Sequence, residues 1–388
     1  MKYRKGKHLL CIALGLSLGL SSITASAQAL YQVPGRFLRP EISTDEGGLW
    51  SMMDREETKL RRSPFVLKDK EFTQYVQAVT CKLAPEHCPD IRVHIVRNHY
   101  FNANMAPNGM MQVWSGLMLR ADNEAQLASV LGHEIGHYLE RHTLSNLRDI
   151  KSRAAFGQFL GLFGLIGALG QVGLLAGQFS FSREHESDAD RIGIVLLHNA
   201  HYDTTEAAKI WENLREESKA GPLGDPAKNS PMFATHPPIH ERKEKLEQYA
   251  ALLNTQGSNN QQEWLERTAP FLHDWLVDEI KRGSYAESLV LFERLSVRQV
   301  KQAEYLWAKA EILRLRNQDK DADLALTQYQ AAIAAGNEPA ETHRGMGLIW
   351  RQKGNKDQAK LCFEQYLQSA PEAGDALMIK SYIEDLNT

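Results

Sequence analysis

The chain has 388 residues, of which 43% are hydrophobic and 24% charged, and its formal net charge is -3 at pH 7. This length allows two domains, each with its own hydrophobic core. Four of the 45 basic residues lie at positions 2, 4, 5 and 7, so the rest of the chain has 41 against 48 acidic residues, a balance of -7. Such a charge argues against a nucleic-acid partner.

Residues 1–27 have the pattern of a cleavable export signal. The basic positions precede an apolar run at residues 9–20, and the small residues Ala-Ser-Ala at 25–27 fit a cleavage site. The apolar run is too short for a comfortable membrane span. We therefore expect an exported chain that begins at Gln28 and is soluble or peripheral to a membrane.

Three cysteines follow the predicted cleavage site. Cys81 and Cys88 enclose the short loop Lys-Leu-Ala-Pro-Glu-His, which predicts a disulfide in an oxidising compartment. Cys362 lies in an apolar helical pattern, which favours a buried, unreactive thiol over a redox role.

An alternating strand pattern at residues 91–97 precedes a strongly periodic helix. Asp122 or Asn123 can cap this helix, and Glu124 suits the positive end of its dipole. An apolar stripe runs along one side, formed by Leu127, Val130, Leu131, Ile135 and Leu139. Cap and stripe together predict a helix that packs into a core.

Residues 133–137, on this helix, read His-Glu-Ile-Gly-His. The helical pitch places the imidazoles of His133 and His137 on one face, where both can bind one ion. A catalytic zinc ordinarily has three protein ligands and keeps one position for water. We therefore expect both histidines to bind one Zn²⁺ per chain, and Glu134 to be the general base for that water.

The next segment, residues 154–182, is 29 residues without a charge and is rich in glycine. Its length permits a membrane span. However, the glycines weaken an isolated helix, and the segment separates two halves of one site that must come together. We expect a helical hairpin or mobile lid beside the site; peripheral membrane contact is the second interpretation and a membrane span the third.

A second polar cluster occupies residues 182–193. In an apparently helical run, Glu186 and Asp190 share one face. We expect Glu186 to be the third metal ligand, and Asp190 to accept the N–H of a ligating histidine and hold its tautomer. Glu184 and Asp188 are a rival pair at the same spacing, and His185 is an isolated candidate ligand.

A polar, uncharged stretch at residues 254–262 is predicted to be a linker, and a helical repeat follows it. A small residue and, four positions later, an aromatic residue recur at spacings of 37 and 34 residues. The small residues are Ser288, Ala325 and Ala359, and the aromatic residues are Phe292, Tyr329 and Phe363. This is the period of tetratricopeptide (TPR) repeats, whose concave face binds partners.

Four motifs in order resemble the HtpX-like and CAAX-prenyl-protease-type zinc metallopeptidases. Two are His-Glu-x-x-His and the Glu-x-x-Ala-Asp-x-x-Gly sequence of residues 186–193. The others are an edge strand from Asn102 that leads to Gly116-Leu117, and the Thr-His-Pro sequence at 235–237 with Arg242. The resemblance extends over about residues 45–250 and implies an α+β zincin-type fold.

In the BepA-like subgroup, which joins a secreted catalytic domain to a TPR domain, the matching histidine can close the open zinc position. The resemblance thus implies that His236 is a fourth, displaceable ligand that holds the enzyme inactive. Two alternatives stay open. Either His236 or Arg242 stabilises the oxyanion formed during cleavage, or the His-Pro-Pro sequence merely starts a helix.

We therefore predict a zincin-type α+β metalloprotease domain at residues 28–255 and an all-α TPR solenoid at 256–388. The resemblance implies a periplasmic zinc endopeptidase, peripheral to the outer membrane, that degrades misfolded or stalled outer-membrane proteins and assists beta-barrel assembly. Its partners would be these unfolded clients and, through the TPR domain, the barrel-assembly machinery. Clients would pair as extended chains with the edge strand at residues 102–106. The alternative is a TPR-based chaperone or docking module with little protease activity, in which Glu134 would be dispensable.

Overall fold

The computed structural model describes residues 31–149, 180–221, 231–236, 242–253 and 256–387. The predicted export signal at residues 1–27 lies outside the described residues, as does nearly all of the glycine-rich segment at 154–182. Residues 237–241 and 254–255 are also outside them. Within the described ranges, none of the helices combines the length and the hydrophobicity that a membrane span requires.

The described chain is mostly helical, with one small sheet. The strands are β1 (Arg92–Val96), β2 (Ala103–Met105) and β3 (Met110–Trp114). The helices before residue 255 are α1 (Asp45–Arg61), α2 (Lys70–Leu83), α3 (Ser115–Arg120), α4 (Glu124–Leu139), α5 (His142–Asp149), α6 (Arg183–Asn199), α7 (Glu206–Ala220), α8 (Pro231–Thr235) and α9 (Arg242–Leu253). Those after it are α10 (Gln261–Thr268), α11 (Leu272–Lys281), α12 (Tyr285–Leu295), α13 (Gln302–Arg316), α14 (Asp321–Ala335), α15 (Glu341–Gln352), α16 (Lys356–Ser369) and α17 (Ala376–Leu386).

The sheet has the strand order β1-β3-β2, so that β2 is an edge strand among the described residues. β1 runs parallel to β3, and β2 runs antiparallel to it. The two faces of β3 belong to different clusters. Met110 and Trp114 pack in the cluster that includes residues of α1, whereas Met111 and Val113 join the main core. β3 is therefore buried along its whole length.

Helix α4 lies inside the core, and all of its residues are buried. Asn123 caps it, because its side chain accepts a hydrogen bond of 2.9 Å from the backbone nitrogen of Gln126. Of the two cap candidates in the sequence, Asp122 has a different role: its carboxylate pairs with Arg294 of α12 and with Arg298 of the loop that follows this helix. The start of α4 is thus tied to the C-terminal region.

Helices α4 and α6 pack with almost no side chain between their backbones. A Cβ atom added at Gly193 of α6 would lie 2.9 Å from the backbone nitrogen of His133. A Cβ atom at Gly136 of α4 would lie 3.0 Å from the backbone of Ala189. Only glycine fits at such contacts. This close approach brings the two polar motifs of the sequence together.

A disulfide joins Cys81 and Cys88 and closes the loop after α2. Just beyond it, Asp90 forms an ion pair of 2.6 Å with Arg36, which anchors the extended segment that precedes α1. Cys362 is a buried free thiol, in keeping with its apolar surroundings.

Consecutive C-terminal helices from α11 to α17 contact one another, and the small and aromatic residues of the repeat pattern are buried there. Ser288, Ala325, Ala359, Phe292, Tyr329 and Phe363 are all fully buried. Gly347 faces the ring of Phe363, where an added Cβ would meet a ring carbon at 2.5 Å. This packing agrees with the roles that the repeat assigns to these positions, and the TPR assignment itself stays a prediction.

The polar stretch before α10 is packed onto the rest of the chain over its described part, residues 256–262. The backbone nitrogen of Asp203 donates to the carbonyl oxygen of Ser258 at 3.0 Å. Asn260 donates to the carboxylate of Glu124 at 2.9 Å, and the indole of Trp264 donates to the carbonyl oxygen of Ala121 at 2.9 Å. Asn260 thus serves as a hydrogen-bonding group of an interface. The main core also continues from the sheet into the repeat helices, so the domain boundary at residues 255 and 256 stays a prediction.

Candidate metalloprotease site

Four buried side chains from three places in the chain meet beside α4. His133 and His137 come from α4, Glu186 comes from the first turn of α6, and His236 directly follows α8. Each offers one ligand atom, and these atoms all lie within 4.8 Å of one another. The structure thus brings together the three predicted ligands and the histidine that the family resemblance suggested.

Three of the separations between these atoms fit a tetrahedral metal ion, whereas the 2.9 Å from His236 Nδ1 to Glu186 Oε1 is shorter than that geometry gives. The Nε2 atoms of His133 and His137 lie 3.2 Å apart, and Glu186 Oε1 lies 3.3 Å from His137 Nε2. His236 Nδ1 lies 3.3 Å from His133 Nε2. Ligands bound at about 2.0–2.2 Å around a tetrahedral ion are about 3.3–3.6 Å from one another. The donor set of histidine nitrogens and one carboxylate is also one that zinc accepts.

The rival ligand candidates lie outside this group. Glu184 is exposed, and Asp188 pairs with Arg191 at 3.3 Å. His185 stacks on another histidine, His142, with a distance of 4.1 Å between ring centroids. Glu186 is therefore the acidic residue of α6 that the fold directs at the two histidines of α4.

Glu134 is buried beside the ligand group without belonging to it. Its Oε1 atom has no hydrogen-bond partner in the part of the chain that the structure describes, and His236 Nε2 lies 3.6 Å from it. The backbone of Met105, in the edge strand, hydrogen bonds to this carboxyl group. Burial raises the pKa of Glu134 to about 7, although nearby His236 opposes the shift. A carboxyl group with such a pKa can accept and return a proton near neutral pH.

Polar side chains hold His133 on the Nδ1 side of its ring, away from the other ligand atoms. Asp190 Oδ1 lies 2.9 Å from His133 Nδ1, as the spacing of the second motif predicts. Burial raises the pKa of Asp190 to about 6, against the opposing charge of Arg242. Arg242 donates to Asp190 at 2.6 Å, and its guanidinium lies 3.8 Å from the ring centre of Trp211. Arg242 thus faces Asp190, the indole and also His133, whose Nδ1 lies 2.9 Å from its guanidinium. A contact between Arg242 and the substrate stays a prediction.

His137 has a different set of neighbours, which sequence reasoning missed. Its Nδ1 lies 3.0 Å from Nδ1 of His142, the first residue of α5, and Phe181 stacks on its ring at 3.9 Å. Burial lowers the pKa of His142 to about 4, so the imidazole is neutral at neutral pH. The only signal in the sequence is a third histidine five positions after His137. The sequence gives no signal for Trp211, because the contact of its indole with Arg242 depends on how α7 packs.

The sheet beside α4, the two-histidine helix and the acidic ligand from α6 are the architecture of a metalloprotease. Residues 67–250 match the model described as Peptidase family M48. This region of the chain, somewhat less than half of its length, resembles the metalloproteases of that family, in agreement with the buried group of possible metal ligands.

Several characterised proteins resemble the chain over this region. It is 27% identical to the beta-barrel assembly-enhancing protease of Yersinia pestis over 300 residues, which are 69% of this chain and 60% of that protein. It is 29% identical to the protein of the same name from Escherichia coli strain K12 over 204 residues, 46% of this chain and 41% of that one. The mitochondrial metalloendopeptidase OMA1 of Arabidopsis thaliana is 31% identical over 156 residues, 40% of this chain and 31% of that protein. The chain spans less than two thirds of the length of each.

Proposed function

We propose that the protein is a zinc-dependent endopeptidase of the periplasm that cleaves misfolded or stalled outer-membrane proteins and so assists beta-barrel assembly. The observation that carries the catalytic part is the buried group of His133, His137 and Glu186 with the carboxyl group of Glu134 beside it. The names of the bacterial relatives support the part that concerns barrel assembly and location.

The residues of the site have different roles in peptide-bond cleavage. His133, His137 and Glu186 would hold the zinc ion, which when bound polarises the scissile carbonyl and lowers the pKa of water. Glu134 takes a proton from the attacking water and passes it to the leaving amine. The unpartnered Oε1 atom of Glu134 is available for this transfer, and the raised pKa of the group suits both directions of it.

The edge strand gives the reason to expect unfolded substrates. β2 pairs with β3 on one side, and among the described residues no strand pairs with its other side. An extended peptide can add to such an edge through main-chain hydrogen bonds, which select for strand conformation more than for sequence. The hydrogen bond between Met105 and Glu134 places this edge beside the general base. Folded barrels, whose strands are already paired, would be spared.

His236 is proposed as the latch of the site. Its Nδ1 atom lies 3.3 Å from His133 Nε2 and 2.9 Å from Glu186 Oε1, so this nitrogen faces the other ligand atoms. As a fourth ligand it would occupy the position that the attacking water needs. Its other nitrogen faces Glu134. His236 could instead stabilise the oxyanion only after the substrate has displaced it from the fourth ligand position.

The repeat helices are proposed to bring clients or the barrel-assembly machinery to the site. A stack of TPR repeats would offer an extended concave surface for protein partners. A peripheral contact of residues 154–182 with the outer membrane stays a prediction, since most of that segment is outside the described residues.

One experiment tests the enzymatic core of this proposal. Zinc content and cleavage of an unfolded outer-membrane protein are measured on the purified chain, for wild type, Glu134→Gln, His236→Ala and the exposed control Glu184→Gln. We expect about one zinc per chain, a loss of rate of at least about 10²-fold in Glu134→Gln, and a higher rate in His236→Ala. The control should match wild type.

Three results would contradict the proposal or a part of it. Wild-type protein that takes up no zinc would remove the metal site, and cleavage by Glu134→Gln at the wild-type rate would remove the general base. Equal cleavage of the folded and unfolded forms of the same barrel would contradict pairing of the substrate with β2.

A further inference from the structure

We infer that His142 is a positioning residue of the metal site, which fixes the orientation and the tautomer of His137. This inference rests on the proposed zinc site. His137 is the predicted metal ligand of α4 whose outer hydrogen-bond partner lies outside both sequence motifs.

The geometry assigns separate tasks to the two nitrogens of His137. Its Nε2 atom faces the ligand group, 3.2 Å from His133 Nε2 and 3.3 Å from Glu186 Oε1. A neutral imidazole that binds a metal through Nε2 carries its proton on Nδ1, and that proton needs an acceptor when the ring is buried. The acceptor within reach is Nδ1 of His142, at 3.0 Å. His142 must then carry its own proton on Nε2.

The turn between α4 and α5 directs the side chain of His142 towards α4. Arg141 adopts a left-handed conformation with φ of 55°, which costs a residue with a side chain about 1 kcal/mol. The backbone nitrogen of Arg141 donates to the carbonyl oxygen of Tyr138 at 3.1 Å. Its side chain is held by Glu46 at 3.1 Å and by the ring of Phe37 at 4.4 Å. Contacts of both its backbone and its side chain therefore stabilise Arg141 in this conformation.

The ring of His142 is itself held in place. It is 5% exposed. It stacks on His185 with an angle of 19° between the rings, and His185 directly precedes the ligand Glu186 on α6. His142 thus connects the end of α4 to the start of α6, the two elements that supply the three predicted ligands.

The two histidines of α4 are supported in different ways. His133 has the carboxylate of Asp190, which is itself paired with Arg242. His137 instead has the imidazole of His142 as its partner. An outer partner of a metal ligand typically affects metal affinity by about 10- to 100-fold, so removal of His142 should have a measurable effect without any change in the ligands themselves.

The test compares His142→Ala, His142→Asn and His142→Gln in the full chain. The Oδ1 atom of asparagine can occupy the place of Nδ1, whereas the longer glutamine extends toward the place of Nε2. The affinity for zinc is measured by competition with a chelator, and melting temperatures verify folding. His198→Ala is the control, because this residue lies twelve positions after Glu186 on α6, about 18 Å along the helix axis.

We expect zinc affinity to fall about 10-fold or more in His142→Ala and His142→Gln, and to stay near the wild-type value in His142→Asn and in the control. In the zinc-loaded protein, the NMR signal of the His137 Nδ1 proton should exchange slowly with water in wild type and His142→Asn, where an acceptor holds it, and faster in His142→Ala.

Wild-type affinity in His142→Ala, or equal losses in the alanine and asparagine variants, would overturn the inference. Equal exchange rates of the His137 Nδ1 proton in wild type and His142→Ala would do the same. Failure of the wild-type protein to bind zinc would instead overturn the proposed function, on which the inference rests.

Discussion

Glu279 of α11 should make the attachment of the C-terminal helices sensitive to acid. Its side chain is fully buried, and its Oε1 atom accepts hydrogen bonds from Arg120 at 3.0 Å, Arg282 at 3.0 Å and Ser288 at 2.8 Å. Burial alone would raise its pKa, but the guanidinium groups of Arg120 and Arg282 outweigh that effect and lower the pKa to about 2. Arg120 lies just before the metal-binding helix, so this cluster joins the two regions.

The size of the effect follows from the difference between the folded and unfolded pKa values. The shift from 4.5 to about 2 corresponds to about 3 kcal/mol of folding free energy. Because the folded pKa is the lower one, this stability is fully present above pH 4.5 and is lost as the pH falls towards 2. Linkage predicts that about 1.4 kcal/mol of it disappears between about pH 6 and about pH 3.5.

The variant Glu279→Gln isolates this contribution, because glutamine has nearly the shape of the protonated acid. The free energy of unfolding is measured by urea denaturation for wild type and variant, followed by a probe in the C-terminal helices. Wild type should be more stable by about 3 kcal/mol near pH 6, and the difference should shrink by about 1.4 kcal/mol near pH 3.5. Glu263→Gln, an exposed change in α10, is the control. A difference between wild type and Glu279→Gln that is the same at both pH values would refute the reasoning.

Three further predictions concern single contacts. Asp190→Asn should weaken zinc binding by about 10- to 100-fold in a chelator competition, and an unchanged affinity would contradict its contact with His133. Reduction of the Cys81–Cys88 disulfide, or its replacement by two serines, should lower the free energy of unfolding by about 2.5 kcal/mol for so short a loop; equal denaturation curves with and without reductant would argue against this. Gly347→Ala should cost about 1–3 kcal/mol because its Cβ would enter a ring, whereas Gly374→Ala, which has open space around it, should cost less than about 0.5 kcal/mol.

Sequence reasoning found the parts of the site that local spacing encodes. The four-residue interval of His133 and His137 is a property of one helix turn, and the same interval relates Glu186 to Asp190. Both pairs therefore came directly from the helical period. The small and aromatic ladder of the repeat helices followed from a period in the same way, and its six residues are buried as expected.

The parts that were missed depend on contacts between distant elements. His142 contacts His137 across the turn at Arg141, whose left-handed conformation has no sequence signature. Trp211 and Arg242 meet through the packing of α7 against α9. The polar stretch before α10 was predicted to be a linker from its composition, but its asparagines are also suitable hydrogen-bonding groups for a packed interface. Composition alone does not distinguish these uses.

The glycine contact between α4 and α6 limits how the site can vary. Because backbone lies against backbone at Gly193 and Gly136, the packing of the two helices sets the distance from His133 and His137 to Glu186. A larger side chain at either glycine would push the helices apart and move Glu186 away from the two histidines. The geometry of the site therefore depends on these two residues without side chains as much as on the side chains that form it.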